Sequence, residues 1–211
     1  MNIRIKQTVA ALCTRAALAA LLAGGAGIAS AGTIHVAIDT SAFGAADGYI
    51  DMNLSAASDK PLATVVVDHM VGFDSSAYID SWGLTPVPGG YAFRNDTAND
   101  LFHAVDFGGV LSFDLTFAGE SDPLANYVSH FVVSAFDGAV APLGHYDPVT
   151  GALADFAWTP ATSAQEQGSV AVTLTDPAVT AETAAAVPEP ATYLLAGIGL
   201  TALALVRRRR V

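Results

Sequence analysis

The sequence predicts an all-β fold, an antiparallel β-sandwich of jelly-roll-like type. Three observations carry that prediction. Apolar residues alternate with polar or small ones: Ile34, Val36 and Ile38; Ile50, Met52 and Leu54; Leu111, Phe113, Leu115 and Phe117 against Ser112, Asp114 and Thr116. Such a period of two marks a strand with one face in a core and the other toward water. Turn signals separate these runs, at Asp47-Gly48, Pro88-Gly89-Gly90, Gly108-Gly109, Asp137-Gly138 and Asp147-Pro148. Finally, no stretch between the two ends of the chain sustains a helical period.

Taken in order, the alternating runs at 34–38 and 50–54 open the body. Further strands are expected at 63–70, 91–94, 101–107, 111–117, 127–136, 152–158 and 169–175. Short strands at this spacing suit a two-sheet sandwich. No internal repeat of solenoid period is present. From Asp176 onward the alternation fades, so residues 32–175 read as the ectodomain and 176–187 as a linker.

Composition narrows the function classes. A chain of 211 residues allows one domain plus targeting segments, and 52% hydrophobic with only 14% charged residues argues against disorder. Charge is unevenly placed. Arg4, Lys6 and Arg15 lie at one end and Arg207, Arg208, Arg209 and Arg210 at the other, leaving Lys60 and Arg94 between. All the acids lie beyond position 31, so residues 32–186 carry nineteen acids against two bases, a formal −17. A body so charged repels phosphate, which excludes nucleic acid as a partner. The single cysteine, Cys13, lies in the N-terminal segment. The body therefore has no thiol for a disulfide, a nucleophile or a metal.

The two ends read as addresses. Residues 1–31 combine early basic charge, an apolar stretch at 16–29 and the small-x-small site Ala29-Ser30-Ala31, followed by Gly32. That is a secretory signal peptide, with signal peptidase expected to cut between Ala31 and Gly32. Near the other end Pro188-Glu189-Pro190 precedes an uncharged apolar run at 191–206 and then Arg207, Arg208, Arg209 and Arg210. As a helix that run reaches about 24 Å at ~1.5 Å per residue, short of a ~30 Å hydrocarbon core but extended by Tyr193 at one edge and by snorkelling arginines at the other. Arginines stay on the cytoplasmic side, so a transmembrane helix here leaves the body outside, as the signal peptide does independently. The prolines interrupt any helix from upstream and favour an extended, accessible segment at the membrane surface.

Pro188-Glu189-Pro190, the glycine-containing apolar run with Gly197 and Gly199, and the arginine end resemble the PEP-CTERM sorting signal of bacteria that make extracellular polysaccharide. The resemblance implies cutting near the Pro-Glu-Pro by an exosortase, with this chain as substrate, transient anchoring in the inner membrane, and delivery to the cell surface or medium. The opening of the body, Thr33-Ile34-His35-Val36-Ala37-Ile38-Asp39-Thr40-Ser41 then Gly48-Tyr49-Ile50-Asp51-Met52-Asn53-Leu54, together with residues 111–117, is similar to one family of PEP-CTERM proteins without an assigned activity.

Within the body no nucleophile elbow, zinc-protease, P-loop or calcium-hand pattern occurs. Five histidines, His35, His69, His103, His130 and His145, fall on five different predicted elements, and each is expected to be exposed or internally satisfied. With nineteen acids, chance proximity explains a carboxylate pair as readily as a hydrolase does. Calcium is the better small-ligand candidate, through the oxygens of Asn95, Asp96, Asn99 and Asp100 in one predicted loop, against an ordinary Asx-rich turn. Trp82, Tyr91, Tyr127, Tyr146 and Trp158 could stack on sugars, though Trp82 and Trp158 suit a sandwich core better. The expectation is a non-catalytic surface or matrix protein associated with exopolysaccharide. A carbohydrate-binding module and a secreted hydrolase are the alternatives.

Overall fold

The computed structural model describes residues 32–57 and 59–183. The signal segment, the Pro188-Glu189-Pro190 motif, the apolar run at 191–206 and the four arginines lie outside the described residues. Among the described residues no helix is long and apolar enough to cross a membrane.

Among the described residues twelve strands form two antiparallel sheets: β1 Ile34–Asp39, β2 Asp47–Leu54, β3 Ala63–Val71, β4 Ile79–Trp82, β5 Thr85–Val87, β6 Gly90–Arg94, β7 Asp100–Asp106, β8 Val110–Gly119, β9 Ser129–Asp137, β10 Ala154–Thr159, β11 Ser169–Leu174 and β12 Val179–Thr183. The first sheet runs β12-β1-β8-β3-β6-β5 and the second β11-β10-β9-β2-β7-β4. From β1 to β5 and again from β6 to β9 the chain changes sheet at each step, so the connections wrap the core. Only β9, β10 and β11 form a simple meander.

The alternation read from the sequence is what closes the two sheets over each other. Val36 and Ile38 of β1, Phe113 and Leu115 of β8, and Val65 and Val67 of β3 point inward from the first sheet. Ile50 and Met52 of β2, Leu101 of β7, and Phe131 and Val133 of β9 meet them from the second. Rings bridge the layers directly: Phe93 of β6 meets Phe131 edge-on at 5.1 Å, and Phe117 of β8 meets Phe131 at 6.4 Å. Edge-to-face contact sets the ring's positive rim against its neighbour's negative face and adds to the burial term.

Three expectations need correction. Residues 176–183 are not linker. Asp176 is buried, its carboxylate accepts the backbone N–H of His145 and Ala178, and β12 pairs with β1 from Ile34↔Thr183 to Ile38↔Val179. Only Val179 is a large buried residue there, and Ala181 packs beside it, so an edge strand built from small residues shows almost no alternation. The edge strands β4 and β5 are missing from the expected set for the same reason, since their residues are mostly exposed. Asp47-Gly48 is no turn either. Gly48 lies within β2, where a Cβ would come within 2.1 Å of the Phe136 carbonyl oxygen, so glycine is needed there for close strand approach.

Candidate functional site

The outward face of the second sheet carries the most concentrated chemistry. On β2 and β7 the half-buried positions alternate with the core, which turns Tyr49 and Asp51, and Asp100 and Phe102, outward. Tyr49 and Phe102 stack with centroids 4.3 Å apart, and Phe136 of β9 tilts against Phe102 at 6.0 Å. At the sheet edge β4 places Asp80 opposite Phe102 and Trp82 opposite Asp100. Trp82 is 51% exposed, which corrects the expectation of a core tryptophan. An edge strand with no neighbour beyond it leaves the indole uncovered.

Beside the aromatic stack, Asp51 lies close to Asp100, and its buried Oδ1 has no hydrogen-bond partner among the described residues. Burial raises the Asp51 carboxyl to about 7, and the neighbouring Asp100 carboxyl pushes the same way. Asp100 is itself raised, first by burial, with Asp80 adding repulsion. Both carboxyls are thus pushed toward the protonated form. What this face offers is an exposed indole for a ring to lie on and carboxylates that accept hydroxyl hydrogens.

A second concavity, a cleft of about 690 Å³, opens between Leu62, Arg94, Glu120, Glu166 and Trp158. Trp158 is buried, as expected of a core tryptophan, and its indole N–H has no partner among the described residues. Gly119 and Gly168 press on the ring from two sides: a Cβ would meet the indole at 2.3 Å and 2.6 Å respectively. The two glycines fix the indole in place.

The proposed calcium loop is built otherwise. Asn95 Oδ1 accepts the Ala63 N–H and its amide donates to the Pro61 carbonyl and Ser129 Oγ. Asn99 Oδ1 accepts the Leu54 N–H, and its amide donates to the carbonyls of Leu54, Arg94 and Thr97. Asp96 pairs with Arg94, and Asp100 faces Asp51. The oxygens point to four different places. Buried amides that satisfy strand-end backbone groups explain the cluster, because an unpaired buried peptide group is costly. Sequence alone could not tell this from a ligand loop, since both want Asn and Asp.

The five named aromatics do not form one platform. Trp82 stands on the second sheet's outer face and Trp158 lines the cleft, while Tyr91 is half-buried on β6 of the first sheet. Tyr127 sits under the Lys60 ammonium at 5.5 Å, and Tyr146 is exposed in a loop. The Tyr49–Phe102–Phe136 group was missed. Its only signal is an aromatic at the outward position of an otherwise alternating strand. His103 is buried and satisfied, with Nδ1 on the Ala104 carbonyl oxygen at 2.7 Å.

Neither a curated protein nor a solved structure matches the chain. The family match lies wholly in the tail and does not bear on the likeness drawn from the opening of the body and residues 111–117. Residues 186–210 match the PEP-CTERM protein-sorting motif, and that motif implies an exported protein, processed by an exosortase and sorted to the cell surface.

Proposed function

We propose that the chain is a non-catalytic surface or extracellular-matrix protein, exported, cut by an exosortase and associated with extracellular polysaccharide. The observation that carries this reading is the sorting motif at 186–210. In it, signal peptidase releases the chain at Gly32. The apolar run at 191–206 holds it briefly in the inner membrane with Arg207, Arg208, Arg209 and Arg210 inside and the body outside. Because β12 ends at Thr183, only residues 184–187 separate the folded body from Pro188. At ~3.5 Å per residue that stretch reaches under roughly 18 Å, so the exosortase works against the face of a folded domain. The order β1-β8-β3-β6 facing β2-β7-β4 supports a jelly-roll-like connectivity for that domain.

One observation favours the narrower reading of a carbohydrate-binding module: Trp82, half exposed, stands beside Asp80 and Asp100 and next to the Tyr49–Phe102 stack. A flat indole flanked by carboxylates fits a sugar ring and its hydroxyls.

The test uses the full chain in a host that carries an exosortase. Replacing Glu189 by Ala should leave a membrane-held precursor, while the unaltered chain reaches the surface or the medium. If the Glu189→Ala chain is processed and released like the parent, the sorting reading fails. Binding to the host's purified polysaccharide, compared between the parent and Trp82→Ala, tests the narrower one. Equal binding, or none in either, removes it.

A further inference from the structure

The outer face of the first sheet gathers two histidines that sequence places on separate elements. His35 on β1 lies opposite Asp114 on β8, and Asp114 lies opposite Asp68 on β3. Glu182 on β12 lies opposite His35 on the other side. Four strands thus present Glu182, His35, Asp114 and Asp68 as one cross-strand row. His35 Nδ1 is 2.7 Å from Asp114 Oδ1. His69 follows Asp68 at a break in the β3–β8 register, with φ of +50°, a conformation that a residue with a Cβ rarely adopts. That bulge swings the imidazole back over the row, with Nδ1 2.9 Å from Asp68 Oδ1 and 3.3 Å from Asp114 Oδ2. Bulges are a standard means of re-aiming a side chain beside a site.

Carboxylates directly opposite each other on neighbouring strands repel. Here Asp68 faces Asp114 with no ammonium or guanidinium beside them. The two such cations among the described residues are engaged elsewhere, Lys60 over Tyr127 and Arg94 with Asp96. Ligand atoms from Asp68, His69 and Asp114 lie within 4.8 Å of one another, and His35, outside that group, reaches it through Asp114. Ligands sharing one ion at bonds of ~2.0–2.2 Å must close to about 3.5 Å, which needs rotation of both exposed imidazoles, His69 and His35.

We propose that His35, Asp68, His69 and Asp114 form a surface site for a divalent transition metal of the zinc class. Two imidazoles with two carboxylates make a mixed nitrogen and oxygen donor set, which zinc takes in tetrahedral form. Calcium needs six to eight oxygens and is poorly served. Glu182, opposite His35, keeps a further carboxylate at the rim. The site lies on the sheet opposite the Trp82 face, and neither depends on the other. It gives an acidic exported protein a means of binding metal at the cell surface.

The experiment is a zinc titration of the full chain, stripped with chelator and held in detergent, followed by melting temperature, with cobalt absorption as a second readout. Zinc should raise the melting temperature, and cobalt should give a visible band. His35→Ala and His69→Gly should each weaken the apparent affinity about tenfold or more, as loss of one donor does. His69→Gly keeps the left-handed backbone accessible, so its metal-free stability should not fall and a folding defect cannot mimic the result. His130→Ala, which removes the separate His130–Asp155 pair on the second sheet, should leave zinc binding unchanged. The proposal is overturned if about 1 mM zinc produces no shift, where even a weak site would be partly filled. It is equally overturned if the His35→Ala/His69→Gly double variant binds like the parent, or if His130→Ala weakens binding as much as His69→Gly.

Discussion

The outer faces of the two sheets solve one problem in different ways. Both belong to a body with nineteen acids and two bases, and both set carboxylates close together. On the second sheet Asp51 and Asp100 are partly covered beside the Tyr49–Phe102 stack, and both carboxyls are raised. On the first sheet Asp68 and Asp114 stay nearer to water, and the imidazoles of His35 and His69 bridge them. The difference lies in burial. Where apolar rings exclude water, the charged form is penalised and a carboxyl keeps its proton. Two faces that both crowd carboxylates are therefore expected to answer mutation and pH differently.

The sharpest way to break that contrast is Phe102→Ala. It removes the ring that stacks on Tyr49 and leans on Phe136, and should cost about 2 kcal/mol in denaturant unfolding. A cost as small as that of an exposed first-sheet residue would mean the aromatic stack is ornamental. Next comes Asp51→Asn. The folded pKa of Asp51 lies above its unfolded value of 3.8, at about 7, so the folded state binds the extra proton between those limits. The stability this supplies is complete in acid and is lost as pH rises through about 7. Asn carries no charge to desolvate at any pH, so the variant should be about 1 kcal/mol more stable than the parent at pH 8, with the gap closing toward pH 4. A gap of the opposite sign, or one that does not change with pH, would contradict a raised Asp51 carboxyl. The smallest effect belongs to the first sheet: in chelator, Asp114→Asn should change stability by no more than about 0.5 kcal/mol, because exposed ion pairs are screened. Inserting a short Gly-Ser segment after Thr183 should leave stability unchanged and speed loss of the arginine tail, as judged by the precursor's lifetime in the membrane.

What sequence could reveal follows the same division between buried and exposed. Strands with one buried face, such as β8 with Leu111, Phe113, Leu115 and Phe117 inside, declare themselves by alternation. The edge strands β4 and β12 do not, because they pair on one side only and bury little, although β11, also an edge, lies within the expected 169–175. The sorting tail was readable because its order of Pro-Glu-Pro, apolar run and arginines is local in the chain. The carboxylate and histidine clusters were not, because they are made across strands. Asp68 and Asp114 are far apart in sequence yet opposite in register, and His69 joins them only through a bulge that no periodicity announces. The Asn95 to Asp100 loop shows the converse: two of its four candidate ligands, Asn95 and Asn99, are spent on backbone groups, which a local cluster of oxygens does not announce.

The most direct test of the account is the intact mass of the mature protein recovered from the surface and medium of an exosortase-bearing host. The account predicts a chain that begins at Gly32, keeps β12 through Thr183, and ends near Pro188 to Pro190 without Arg207, Arg208, Arg209 and Arg210. A chain found only in the inner membrane with all four arginines still attached would contradict it.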